Sequence, residues 1–585
     1  MTNHLMFLLL LWGCSSEGPA APSPLLVLEP PNLSVNVTSL DFGYSAIELV
    51  VLIANEGGSP LNWTASSNAA WVTLSVPSGP LPAGSSQEIL ARVSRSALST
   101  GNHSALIQIS SNGGSASVAT SLDVLPGIPS GPSQRVNVRD FGARGDGLHD
   151  DTQAFVSAAN ALKPSGGELY VPAGEYILSP SGPSPRGGLE LFGQSNITLI
   201  GDGLEGTTIR MAPGTYDGNT HLIYIKKSFQ VSFRDLTLDG NRQNASFPSE
   251  QNHCVEVWSS IQMRFERVRF RNCRGDGVRL MGVPVQGDPW TELVWIENSR
   301  FEDNGRSGVA VQRAVRNLHI RNNTFERLSD QSIDVEPTGA RSPTDIFIEN
   351  NVIHHANGTL AVAPGGIGGK DVARRIVFSF NRIENGGAQF AKIDDLRIEG
   401  NTIIGDPGHA TLRITHNVTN AVIVNNELVG PGKAELPVME IEALNGGHAS
   451  HITIQSNRID ASNGRGGLRI ADALGNISIL DNEITGGGGQ NGIHIDNILA
   501  KSSPRRGVSI LDNVVHNFKN AVQLSTRNDA FADVVIQRND IDHNQSPPTE
   551  TVGLIFNQTG PYQAFAIVAP NTYGRGIRTP SIVLD

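Results

Sequence analysis

The chain has 585 residues, enough for several domains or for one long repetitive domain with an accessory. Its 63 glycines, 6% aromatics and 17% charged residues suit a turn-rich β protein with uncharged polar surfaces. A net charge of −12 argues against nucleic acid held on a basic surface.

The first segment, "MTNHLMFLLLLWGCSS", is an apolar run ending at Cys14. It is too short for an ordinary membrane span and reads as an export signal. "LWGC" resembles the lipobox of bacterial lipoproteins, with Trp12 bulkier than the usual residue there. The resemblance implies lipidation at Cys14 and a place at the bacterial cell envelope or surface, with membrane contact only through that anchor. Plain secretion is the alternative. "SSEGPAAPSP" then serves as a flexible tether, closing a segment of residues 1–25.

Residues 26–125 alternate in short runs such as "IELVVLIAN", "EILARV" and "SALIQIS", separated by Gly, Pro, Ser and Asn turns. This predicts an immunoglobulin-like β-sandwich. "LNWTASSNAAWVTLS" and "LSTGNHSALIQISSNGG" resemble the BACON-type bacterial accessory domain. Trp63 and Trp71 are candidates for stacking on sugars, although core packing explains them more simply. "PGIPSGPSQ", 126–134, reads as a linker.

Residues 135–585 form the remaining unit. It opens with a turn, "GARGDGLHDD", and an amphipathic helix whose Phe155, Ala158, Ala159 and Leu162 share a face. Such a helix plugs the open end of a stacked core. Asp150 or Asp151 caps it, and turn-making accounts for Asp146. An Asn-led repeat follows: "NSRF" at 298, "NTF" at 323, "NVI" at 351, "NRI" at 381, "NTI" at 401, "NEL" at 426, "NRI" at 457, "NEI" at 482, "NVV" at 513 and "NDI" at 539. Intervals of 20 to 31 residues with strand-sized apolar pairs predict a solenoid of short parallel strands. Asn tolerates left-handed backbone and stacks its amides, so the ladder is structural. Cys254 and Cys273 lie about one coil apart, as a disulfide or as two buried thiols, and no zinc-type spacing exists.

"LIGDGLEGTTIR" at 199–210, "LTLDGNRQN" at 236–244 and the Asn ladder resemble the pectate-lyase-like, right-handed parallel β-helix superfamily, over about 135–560. The opening blocks are most similar to mannuronan C5-epimerases. Where that family carries a Tyr-Gly-Phe-Asp-Pro-His-like run, this chain has "GDGVRLMG", with Arg279 in place of the Asp and Met281 in place of the His. The polygalacturonase signature is also missing.

Strand alternation identifies the outward side chains. In "DQSIDVEPTG", Ile333 and Val335 face inward while Asp334 and Glu336 face outward side by side. An acid-x-acid pair resembles that of iota-carrageenase-type hydrolases. Their Cβ atoms are expected about 6.5–7 Å apart, within reach of a two-carboxyl glycosidase mechanism. Glu336 is expected as the acid and Asp334 as the base, with Ala361 and Ala363 leaving a depression beside them. Arg279, Gln312, Lys392 and Arg413 are expected to bind substrate. Glu440, Glu442, Arg469, His494 and Asp496 are secondary candidates, with ion pairing the simpler reading of the Glu pair. The expected function is an exported polysaccharide hydrolase needing no cofactor. The alternatives are a uronate lyase or epimerase, in which Lys392 or an Arg abstracts a proton and acids hold Ca²⁺, and a non-catalytic glycan-binding or adhesive solenoid. The oligomeric state is not legible.

Overall fold

The computed structural model describes residues 29–44, 46–125, 134–180, 187–214, 220–245, 250–283, 290–338, 341–354, 360–364, 371–430, 436–443, 449–463, 466–471, 475–487, 491–497, 506–526, 534–542, 552–558, 566–568, 571–573 and 579–584. Cys14, its tether and nearly all of the expected linker lie outside these residues. The chain divides into two compact units, Met1–Gly127 and Ile128–Asp585.

In the first unit two sheets face each other across one apolar core. Strands Leu33–Val35, Glu48–Asn55, Ser86–Val93 and Val72–Leu74 form one sheet. Ser39–Asp41, Gly114–Val124, Gly101–Ser111, Leu61–Ser67 and Ser78–Leu81 form the other. Trp63 is buried in this core and Trp71 packs against it half-buried. Trp63 is therefore part of the core rather than a free sugar-stacking platform, whereas Trp71 keeps part of its surface exposed.

The second unit is a parallel β-helix. Its end is plugged by the helix Thr152–Leu162, whose Phe155, Ala158, Ala159 and Leu162 are buried. The two aspartates at its start divide the work. Asp150 Oδ1 accepts from Thr152 N (2.9 Å), while buried Asp151 accepts from Arg144 N (2.7 Å) and Gly145 N (3.2 Å), tying the preceding turn to the helix.

Three stacks of short strands follow, each strand pairing with its counterpart one coil later. One stack runs Val255–Trp258, Val278–Met281, Val309–Val311, Ile333–Val335, Leu360–Pro364. Inward Val, Ile, Leu and Phe fill the cylinder. Phe270, Phe301 and Phe325 stack with centroids 4.7 Å apart.

The Asn repeat is an amide ladder. Asn323 Nδ2 donates to Asn351 Oδ1 (3.0 Å), Asn351 to Asn381 (2.9 Å) and Asn381 to Asn401 (3.1 Å), continuing through Asn426, Asn457, Asn482, Asn513, Asn539 and Asn571. The left-handed backbone belongs to the residue before each rung, as at Asn322, Asn350 and Asn425. Asn298, expected as a rung, is not one. It takes the left-handed turn (φ 53), and Ser299 holds the ladder position, its N–H donating to Asn323 Oδ1.

Candidate active site

The first stack sets a straight row of outward residues. Glu256 pairs in register with Arg279, Arg279 with Ala310, Ala310 with Asp334 and Asp334 with Ala363. Farther on, Arg413 pairs with Glu440, Glu440 with Arg469 and Arg469 with His494. Ile333 and Val335 are fully buried in the cylinder, so the expected alternation holds. The small neighbours of Asp334 are Ala310 and Ala363. Ala361 does not flank the pair, because the register of the next coil is two residues displaced from the expected one.

Asp334 and Glu336 are closer than strand spacing implies, because their carboxyls turn toward each other and hydrogen-bond. Arg306 lies over both, with Nη2 3.5 Å from Asp334 Oδ2 and 2.9 Å from Glu336 Oε1. Gln312 Nε2 donates to Glu336 Oε2 (2.8 Å), and Arg279 Nη2 donates to Gln312 Oε1 (2.8 Å). The side chain of Asp334 is 8% exposed and that of Glu336 30%.

Burial, then the charge of Glu336, pushes the Asp334 carboxyl up to about 8, against the pull of Arg306. Two carboxyls this close share a proton. Burial falls on Asp334, which favours its protonated form, while Glu336, expected as the acid, meets solvent, Arg306 and Gln312.

A second set of polar residues backs this pair. Arg306 Nη1 lies 3.3 Å from Asp276 Oδ2, which lies 3.1 Å from His253 Nδ1. Asp276 is fully buried; burial raises its carboxyl, but His253 and Arg306 outweigh this and hold it low. Arg279 Nη1 meets His253 Nε2 (3.1 Å), Gln251 Oε1 (2.8 Å) and Glu256 Oε1 (3.5 Å). Glu256 also pairs with His221 Nε2, and the rings of His221 and His253 stack at 5.2 Å. Burial lowers the His221 imidazole, so it stays neutral and donates Nε2–H to Glu256. Burial opposes ionisation of Glu256, but its hydrogen bond from His221 prevails and lowers it to about 2.

The family model for rhamnogalacturonase A/epimerase, pectate-lyase-like proteins matches residues 135–366. This part of the chain is a pectate-lyase-like domain. The viral BACON domain model matches residues 32–124, the sandwich. Mannuronan C5-epimerase AlgE3 of Azotobacter vinelandii is 31% identical over 238 residues, covering 38% of this chain and 12% of that protein. Alginate lyase 7 of the same organism is 38% identical over 112 residues, covering 18% of this chain and 13% of that protein. The solved A-module of Azotobacter vinelandii mannuronan C-5 epimerase AlgE6 covers 75% of this chain and 99% of its own, at 19% identity and a TM-score of 0.37.

The pectate-lyase-like domain gathers Asp334, Glu336, Gln312 and Arg279 as expected. It does not bring Arg413 or Lys392 to the pair. Arg413 lies three coils on, bound to Glu440 (3.0 Å) and Glu442 (3.0 Å). Lys392 sits at an irregular corner, φ 53, where its charge acts on Asp371 and His416. Burial lowers its ammonium. The secondary candidates form a cluster of their own. Arg469 Nη1 lies 2.7 Å from Glu440 Oε1, Arg469 Nη2 lies 3.8 Å from Asp496, and His494 Nε2 meets Ser525 Oγ at 3.2 Å. His494 is six coils from Asp334, about 29 Å along the axis.

Arg306, Asp276, His253, His221 and Glu256 are absent from the expected set. Arg306 and Asp276 occupy turns, where strand alternation is silent. A usable signal lies in aligning "NGRSGVAV" with "SDQSIDV", which puts Arg306 and Asp330 in the same place on adjacent coils. Among the described residues no group of three or more His, Cys, Asp or Glu side chains is disposed to hold a metal ion.

Proposed function

We propose that the protein is an exported, polysaccharide-active enzyme and that Asp334 and Glu336 hydrolyse a glycosidic bond. One observation carries this reading: two outward carboxyls of one strand lie against each other, the buried one pushed up to about 8 and the other more exposed. Asp334 gives its proton to the glycosidic oxygen as the bond to the anomeric carbon breaks. Glu336 takes a proton from the water that attacks that carbon. Gln312 and Arg306 hold the Glu336 carboxylate in place. Glycosidase carboxyls work about 5–5.5 Å or about 6.5–9.5 Å apart. Substrate must therefore part the hydrogen-bonded pair, and Glu336 is the partner with room to turn. Hydrolysis along this route needs no cofactor. The disulfide between Cys254 and Cys273 supports an oxidising, extracytoplasmic location.

The test is release of reducing ends from a polysaccharide panel. Asp334→Asn and Glu336→Gln are each expected to lower turnover by about 10²–10⁴-fold with the β-sheet circular dichroism unchanged. Full turnover in both variants overturns the assignment.

A uronate lyase or epimerase is the second reading, favoured by the mannuronan epimerases and alginate lyase among the relatives. An unsaturated product absorbing in the ultraviolet, or loss of activity to a Ca²⁺ chelator, selects it over hydrolysis. Glycan binding without turnover, unchanged in both acid variants, selects a non-catalytic binding solenoid.

A further inference from the structure

Four to six coils beyond the strand of Asp334, about 19–29 Å along the axis, a cavity of about 270 Å³ opens on the same stack. Leu436 and Pro437 supply an apolar wall. Glu440, Arg469, Asn491 and His494 supply polar groups on the other side, and Gly466 lines the space between. A pyranose ring has this same division, with C–H groups on its faces and hydroxyls around its edge. Ligand sites are mostly apolar with a few convergent polar groups. The volume falls just under the usual range of about 300–1,000 Å³ for ligand pockets, which limits the occupant to a single small ring.

We propose that this cavity is a saccharide-binding subsite, distinct from the Asp334–Glu336 pair, and that it takes one uncharged sugar unit of a longer chain.

The charges argue for an uncharged unit. Glu440 lies between Arg413 (3.0 Å) and Arg469 (2.7 Å), and Glu442 takes a second contact from Arg413 (3.0 Å). Asp496 lies 3.8 Å from Arg469. Three carboxylates thus meet two guanidiniums. Burial lowers the His494 imidazole, which adds no positive charge near neutral pH. Of these groups Glu440 and Arg469 line the cavity and are already paired with each other. The cluster behind them holds one acid more than it has arginines, so a uronate carboxylate entering here is disfavoured, whereas hydroxyls find both donors and acceptors. The carboxylates are fixed by their arginines, so their lone pairs are oriented before ligand arrives.

The inference shares with the proposed function only the premise that this face takes a polysaccharide. Its test uses the full chain carrying Asp334→Asn, so that turnover does not consume the ligand. Binding of neutral and uronate oligosaccharides of increasing length is measured by titration calorimetry. Gly466→Leu is the main variant. A Cβ at position 466 meets Asn491 O at 3.4 Å and Pro437 Cβ at 3.8 Å, ordinary contacts, so the added side chain fills the cavity without breaking an ion pair. His494→Gln, which replaces the imidazole of the wall with an amide that can still reach Ser525 Oγ, is the second variant. The expected result is binding of a neutral oligosaccharide that either variant weakens about tenfold or more, a difference of about 1.4 kcal/mol. Binding unchanged in both variants, a preference for uronates, or no binding by the Asp334→Asn protein overturns the inference. Reducing-end release by the unsubstituted protein reads the hydrolase proposal separately.

Discussion

Asp334 and Glu336 leave the same strand on the same side and hydrogen-bond through their carboxyls, yet only Glu336 has substantial access to solvent. That asymmetry separates their protonation and sets a pH signature for the fold. Asp334 ordinarily ionises near 3.8 and is held protonated in the fold to about 8. Between these values the folded protein binds more protons than the unfolded chain, so this group's contribution to stability falls as pH rises. It is fully present below about pH 4 and lost above about pH 8. A tenfold change in proton affinity between the folded and unfolded chain is worth about 1.4 kcal/mol. Asp334→Asn removes the titration. Calorimetric melting from acid to mildly alkaline pH is expected to show a flatter slope for the variant and a higher Tm than the parent at the alkaline end. Parallel slopes would mean that Asp334 is not the buried acid.

Arg306 is the cation common to Asp276, Asp334 and Glu336. Asp276 has no solvent access, so removing the guanidinium strands a buried charge held otherwise by His253 and the Ser307 N–H. Arg306→Gln is expected to cost about 3–5 kcal/mol, the range for breaking a buried pair from one side. Urea denaturation measures it. Arg306→Lys keeps the charge but loses the fork that reaches two carboxylates at once, and is expected to fall between parent and Gln variant. Losing the Arg306 charge, which pulls the Asp334 carboxyl down, raises that carboxyl further in the Gln variant, so the alkaline limb of a pH-rate profile set by Asp334 as the acid moves upward.

The solenoid was legible because its signal repeats: each coil restates the same apolar pair and the same Asn. The Asp334–Glu336 pair was legible because alternation along a strand is a local rule. The division of labour within the pair was not. It depends on Ala310 and Ala363 crowding Asp334 from adjacent coils, and on Arg306 folding over from a turn. Those neighbours are 24 to 30 residues away in sequence and obey no period. Alternation puts Arg413 on the same face as the pair but says nothing of distance along the axis. Its nearest acids are Glu440 and Glu442, one coil farther on, and a guanidinium goes to the carboxylate it can reach.

The ladder Asn residues and the Asn residues in left-handed turns predict opposite mutational costs. Asn457 donates Nδ2 to Ile423 O (2.9 Å) and Asn482 Oδ1 (3.0 Å), and its Oδ1 accepts from both Asn426 N and Nδ2 (2.9 Å each). Asn457→Ala leaves Asn426 N buried without its acceptor, while Asn426 Nδ2 keeps Ile398 O (3.0 Å) and Val424 O (3.1 Å). An unsatisfied buried group costs about 1–3 kcal/mol, so a loss of about 2 kcal/mol is expected from denaturant titration. Asn298 is exposed and contributes a left-handed backbone rather than an amide rung. Asn298→Gly keeps that backbone and is expected to change stability by less than about 0.5 kcal/mol. Equal costs at the two sites would contradict the division between rung and turn.

The disulfide joins the same two coils that carry His253 and Asp276. Cys254 follows His253 directly, Cys273 lies three residues before Asp276, and Cys254 N donates to Asp276 O (3.0 Å). Both sulfur-bearing residues are fully buried, and the bond closes a separation of 19 residues. A loop of this size is stabilised by about 3 kcal/mol. Replacing both cysteines with alanine is expected to lower stability by about that amount, measured in denaturant without reductant. Because the bond has no solvent access, reductant added to the native protein must wait for opening. Thiol release, followed with a chromogenic disulfide, is therefore expected to track the unfolding rate rather than reductant concentration. Release proportional to reductant concentration would show that this coil opens on its own, and that His253 and Asp276 are not held together by the packed cylinder.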